Sequence, residues 1–249
     1  MKFFLHRTLR RALAQSITLG AISLSLLSVG IGASPALALT QEQVGEKLSN
    51  VPVFVIGNDS GLILVNGAQA EGTEAPQPNL YVFMTSQDAE TFLARANEAN
   101  PAFAPEAEVG ITNLETLYQE ARTNTEQPIQ LVYVPEADEA SQAAELSTSY
   151  QGGVPLFYAQ FEDGSLAPVQ QENGEPVFPM FFSRADLEAL LADLGERNPE
   201  VRAAITIGVL PLEIMLQQMQ TSDNELLNQI LLLPDSETIN DIQSQSAPQ

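Results

Sequence analysis

Val109-Gly110-Ile111-Thr112-Asn113-Leu114-Glu115 and, 98 residues later, Ile207-Gly208-Val209-Leu210-Pro211-Leu212-Glu213 are one line written twice. Each runs from a β-branched residue through Gly to a second β-branched residue, crosses two spacers and closes on Leu-Glu. That is a short strand entering the first turn of a helix. The agreement continues outward on both sides. Val51-Pro52-Val53-Phe54 returns as Val154-Pro155-Leu156-Phe157, Thr85-Ser86-Gln87-Asp88 as Ser183-Arg184-Ala185-Asp186, and Asn100-Pro101 as Asn198-Pro199. Downstream, Leu131–Pro135 returns as Ile230–Pro234. A period this long means two copies of one α/β unit, not a solenoid of short repeats. The fold class expected is α+β: two pseudo-symmetric repeated halves around a shared core, behind a cleaved N-terminal signal peptide.

The first stretch reads as an address. Lys2, Arg7, Arg10 and Arg11 precede an apolar run over 12–32, and Ala36-Leu37-Ala38 has the small-x-small cleavage pattern. An uncleaved membrane anchor is the competing reading, because the run approaches spanning length. Gly20, Gly30, Gly32 and Pro35 favour removal. The organisation expected is therefore a signal peptide over 1–38, a first half over 39–135, a connecting helix over 136–150, a second half over 151–237 and a disordered tail over 238–249.

Four of the ten basic residues and the single histidine, His6, leave with the signal, and all 32 acidic residues stay. The mature charge is therefore −26. Nucleic acid is excluded as a partner, since phosphate contact needs clustered Lys and Arg. Such a charge keeps a chain soluble and favours basic partners. With no cysteine, no disulfide staples this exported chain, which is long enough to do without one.

Along the chain, Thr40 caps an entry helix, Val51–Gly57 is a buried strand, and Asn58-Asp59-Ser60-Gly61 turns it into a returning strand over Leu62–Val65. Leu80–Met84 is a third strand. Thr85-x-x-Asp88 caps a helix whose core face is Ala89, Phe92, Leu93 and Ala96. Leu114, Leu117, Tyr118 and Ala121 mark the next helix, and Ile129–Val134 the strand after it. The second copy repeats the plan, with Ser183-x-x-Asp186 as the cap and Leu212, Met215, Leu216 and Met219 as the last amphipathic stripe. Asp235–Gln249 is polar and reads as a frayed tail.

Catalytic chemistry finds few carriers. Without His or Cys in the mature chain, neither a Ser-His-Asp nor a Cys-His arrangement can be assembled, and a zinc site lacks its usual ligands. No cofactor or metal is expected. Gly152-Gly153 precedes a strand, the wrong context for a phosphate loop. Glu115 and Glu213 recur at equivalent positions and could form a carboxylate pair, yet each stands at a helix start, where the dipole favours a carboxylate anyway. The apolar signal is stronger. Leu114, Leu117, Tyr118, Phe181, Phe182, Leu212, Met215 and Met219 are candidates for a client-binding groove, because Met-rich and aromatic faces adapt to varied apolar partners. Plain core packing explains the same pattern.

Several stretches together carry a recognisable order: L-S-N-V-P-V-F (Leu48–Phe54), V-F-M-T-S-Q-D-A (Val82–Ala89), V-G-I-T-N-L-E (Val109–Glu115), V-Y-V-P (Val132–Pro135), G-V-P-L-F (Gly153–Phe157), F-F-S-R-A-D-L (Phe181–Leu187) and L-L-L-P (Leu231–Pro234). They resemble the Tic22-like family over roughly Gln41 to Glu237. The resemblance implies a non-enzymatic chaperone of an inter-membrane space, in cyanobacteria the periplasm, with some thylakoid association. Its implied partners are unfolded precursors or outer-membrane β-barrel proteins and an outer-membrane assembly pore of the Omp-eighty-five type. The bacterial form of the leader favours the cyanobacterial branch. A carrier of lipid or another small apolar ligand, and more distantly a carboxylate hydrolase, remain the alternatives.

Overall fold

The structure, a computed structural model, describes residues 38–66, 77–100, 106–124 and 128–245. The expected signal peptide, but for Ala38, lies outside them, as does most of the polar loop over 66–78.

The first sheet is built on β1 (Pro52–Asn58). It pairs antiparallel with β5 (Glu108–Asn113) on one side and with β4 (Pro78–Phe83) on the other. β6 (Gln130–Val134) then joins β4 in parallel. The second sheet is built on β7 (Pro155–Phe161), which pairs antiparallel with β10 (Ile205–Pro211) and β9 (Pro176–Phe181). β11 (Ile230–Leu233) joins β9 in parallel. The strand order and directions of the two sheets are the same. The returning strands expected at Leu62–Val65 and Leu166–Val169 behave differently. After β2 (Gly61–Leu62) pairs with β1, the chain crosses over and β3 (Val65–Asn66) pairs with β4. In the second sheet Leu166 bridges to Gln160, and β8 (Val169–Gln170) pairs with β9.

β1 is buried on both faces, so its residues divide by parity. Val51, Val53 and Val55 point into a central cluster shared with Val154 and Leu156 of the second sheet. Three helices fill that cluster: α1 (Gln41–Leu48), α3 (Leu114–Thr123) and α7 (Leu212–Thr221). One continuous apolar core therefore joins the sheets. Phe54 and Ile56 face the opposite way, onto the outer side of the first sheet beside α2 (Ser86–Ala99). On the outer side of the second sheet, Phe157 and Phe181 meet Leu187, Leu191 and Leu194 of α5 (Arg184–Arg197).

Local signals explain most boundaries. Thr40 and Gln43 form a reciprocal capping box at α1. Thr85 accepts from Asp88 N–H at α2, and Asn113 from Thr116 N–H at α3. The cap expected at Ser183 does not form. In its place the carboxylate of Glu139, from α4 (Ala137–Leu146), accepts the N–H of Arg184 at 3.1 Å. A tertiary contact thus replaces a local one.

The frayed tail is the largest correction. Residues 236–245 form α8 (Ser236–Gln245), with Ile239 buried. Asp235 supplies its cap, its carboxylate accepting from Thr238 N–H at 2.7 Å and Glu237 N–H at 3.3 Å. α8 is as long as α4 and, like it, follows a strand and a proline, so the helix over 136–150 does have a counterpart. The two helices exchange sides. Ala143 and Leu146 of α4 pack on the outer face of the second sheet, whereas Ile242 of α8 packs on the outer face of the first.

Candidate functional site

The structure places all eight expected groove residues in the interior. Leu114, Leu117, Tyr118, Phe181, Phe182, Leu212, Met215 and Met219 are each no more than 6% exposed. All but Phe181 belong to the central cluster, and Phe181 joins the outer cluster of the second sheet. They are core, not an open groove. The physical reason is that the stripe of an amphipathic helix faces whatever covers it, and here both stripes face the shared core. The apolar side chain that α7 does expose is Ile214 at 46%, which lies off the stripe of Leu212, Met215, Leu216 and Met219. An apolar residue outside the stripe is the sequence signal that could have marked it.

The outer face of the first sheet is a partly covered apolar surface. Among the described residues only Phe54, Ile56, Phe83 and Ala89 are buried there. Ile63, Tyr81, Phe92, Leu93, Val109 and Ile111 are half-buried around them. Three aromatic rings form its centre: Phe92 lies 5.1 Å from Tyr81 and 5.3 Å from Phe83, centroid to centroid. Pairs at these separations add attraction beyond their buried area and hold the rings in place. On the matching face of the second sheet, α4 and α5 pack over a larger buried cluster, and Phe161, Leu190, Ile207 and Val209 are among the residues half-buried around it.

A second feature lies where the halves meet. Val51 and Pro52 stand with Val154 and Pro155, and with Met84, Phe182 and Pro234, around a small, partly open space of about 20 Å³. Glu136, Glu139 and Asp235 rim it. Burial, followed by the charges of Glu139, Asp235, Asp88 and Asp138, pushes the Glu136 carboxyl up to about 7. Burial also raises Glu139, opposed by the bonds it accepts from Arg184 N–H and the Ser183 side chain. Among the described residues no group of three His, Cys, Asp or Glu is placed to hold a metal.

The recurring carboxylates have separate surroundings. Glu115 accepts from the Gln119 amide at 2.9 Å and lies beside Gly45. Glu213 sits over Gly153 and accepts the N–H of Val154 at 3.2 Å, and burial raises its carboxyl above the ordinary range. Each is tied to its own helix or strand start, and the structure does not assemble them into an acid/base pair. Lys47 donates to the backbone carbonyls of Asn228 and Ile230, both at 2.9 Å, and pins α1 to the entrance of β11. Its ammonium is lowered by burial, against the opposing charge of Glu46.

The fold is a mixed α+β architecture with two sheets sharing one apolar core. No described helix is long and apolar enough to cross a membrane. A curated relative, Protein TIC 22, chloroplastic, from Pisum sativum, is 27% identical over 192 residues, covering 76% of this chain and 70% of that protein. The solved structure of Anabaena Tic22 (protein transport) superposes with a TM-score of 0.68 at 24% identity, covering 85% of this chain and all of that one. Tic22 from Plasmodium falciparum gives 0.62 at 18% identity, over 81% and 96%. At these identities the two structures establish the shared fold. The match to the Tic22-like family runs over residues 11–245, and the chain belongs to that family.

Proposed function

We propose that this protein is a non-enzymatic chaperone that binds unfolded or apolar polypeptide segments during protein translocation or outer-membrane protein biogenesis. The observation that carries the reading is the half-covered apolar face around Tyr81 and Phe92, packed over the buried Phe83, in a member of a family whose Anabaena relative is described by protein transport. Exposed contiguous apolar surface marks interaction sites. The basic, apolar leader over 1–38 and the mature charge of −26 support an extracytoplasmic setting, the periplasm, with thylakoid association as a further expectation. The clients in this reading are unfolded precursors or outer-membrane β-barrel proteins, delivered to an outer-membrane pore of the Omp-eighty-five type. The shared strand order and the recurring sequence line support an origin by duplication of one α/β unit.

The test is suppression of aggregation. Mature protein, residues 39–249, added at equal molarity to a barrel protein diluted from urea, should keep it from scattering light. Phe92→Asp should weaken the effect while leaving the circular dichroism unchanged. Equal scattering with and without the protein would end this reading. A lipid carrier would instead yield a stoichiometric lipid on organic extraction.

A further inference from the structure

We infer that α8 is a resident stand-in on the outer face of the first sheet, and that an amphipathic helix with basic flanks displaces it to bind there. This rests on the polypeptide-binding reading above and names both the ligand and the gate of that same surface.

Three observations converge. α8 is tied down by side-chain hydrogen bonds at its first turn. Asp235 caps it, and Asp186 of α5 accepts both the N–H and the hydroxyl of Ser236, at 2.8 and 2.6 Å. Beyond that first turn its apolar grip is Ile239 and Ile242, spaced i, i+3, and the rest of its surface is polar. α4, its counterpart, continues into the chain at both ends and lies beside the leucine-rich α5.

Next, α8 shows what the face accepts. Its half-buried Ile242 packs against the buried cluster of Phe54, Ile56, Phe83 and Ala89, as do Tyr81, Phe92, Val109 and Ile111, which stay half-buried. A helix with a longer apolar stripe would bury more of the same surface, so it would win by apolar area alone.

Charge supplies the specificity. The elements framing the face beside α8, α2 and β5, carry Asp88, Glu90, Glu98 and Glu108 against one cation, Arg95. α8 is itself acidic and repels this rim, whereas a helix flanked by Lys or Arg would be drawn to it. An acidic occupant on an acidic frame suits a segment that must leave.

The experiment uses the mature chain and two fluorescent synthetic helices of about 15 residues with one apolar stripe, flanked by Lys in one and by Glu in the other. Fluorescence anisotropy should show that Ile242→Ser tightens the Lys-flanked helix about fivefold, because the open state becomes more populated. Truncation after Asp235 should tighten it further, and a free peptide of residues 235–245 should compete. The Glu-flanked helix should bind at least about tenfold more weakly, with the gap closing as salt is raised. Hydrogen exchange of the α8 amides should accelerate when the Lys-flanked helix is bound. Equal affinity for wild type and Ile242→Ser, with unchanged circular dichroism, would overturn the inference. So would α8 exchange unaffected by the ligand. Should the truncated chain fail to fold, the full-length Ile242→Ser result decides. If no helix binds while barrel-protein aggregation is still suppressed, this inference fails and the proposed function stands. If neither occurs, both fail.

Discussion

The two glycines of the recurring line do different jobs. Gly208 lies opposite Tyr158 across the β7–β10 ladder, and a Cβ there would stand 2.5 Å from the Tyr158 ring. Gly110 lies opposite Val55, and a Cβ would meet nothing closer than the Val55 carbonyl at 3.9 Å. Gly208→Ala should therefore cost about 1–3 kcal/mol as the ring is forced aside. Gly110→Ala should be neutral or stabilising by up to about 1 kcal/mol. Urea melts of the two variants would show the contrast, and equal midpoints would mean the Tyr158 ring moves freely. Gly153 is constrained twice: its φ is +91°, and the Glu213 carboxylate occupies the place of a side chain. No sequence pattern shows that, because the carboxylate arrives from a helix start 60 residues away.

At the scale of elements, the helix starts divide the molecule into locally and tertiarily determined parts. The caps at Thr40, Thr85 and Asn113 are legible in the sequence because donor and acceptor lie three residues apart. The start of α5 borrows Glu139, and that of α8 is held by its own Asp235 and by Asp186. Asp235→Ala should destabilise α8 by about 1 kcal/mol and raise its hydrogen exchange ahead of the rest of the chain. Stability at the junction from which α4 and α8 depart should depend on pH. Glu136 is pushed from 4.5 to about 7, so the folded state holds its proton more tightly than the unfolded chain does. Stability is then greatest at low pH and falls as pH rises through about 7. Glu136→Gln should match wild type in thermal melts near pH 5 and exceed it near pH 8, where the ionised carboxylate sits among Glu139, Asp235, Asp88 and Asp138. A variant that lost stability at both pH values would show that the carboxylate is held by bonds rather than strained.

For the molecule as a whole, cooperativity follows from the shared core and the exchanged helices. Val53 and Leu156, from different sheets, belong to one buried cluster with α1, α3 and α7, while α4 and α8 each cover the other half's sheet. Neither half can unfold without exposing apolar surface of its neighbour. Urea unfolding should therefore be a single transition, with tyrosine fluorescence and far-ultraviolet dichroism superimposing. Two separated transitions would show that the halves fold as independent domains.

Composition and order by themselves determined the mixed α+β class, the positions of the buried strands, the stripes of α3 and α7, and the family. Each of these depends on side chains at fixed local spacing, or on motifs in a fixed order. What only the tertiary structure decided is which apolar surface is covered and by what. A stripe such as Leu212, Met215 and Met219 has the same period whether it lines a core or a groove, and the structure buries it. The Asp235 cap and the Ile239–Ile242 pair were present in the sequence, but ten polar-rich residues bury too little to hold a helix alone. Tertiary contact completes α8: Ile239 is buried and Ile242 packs on the outer face of the first sheet, which no local spacing encodes.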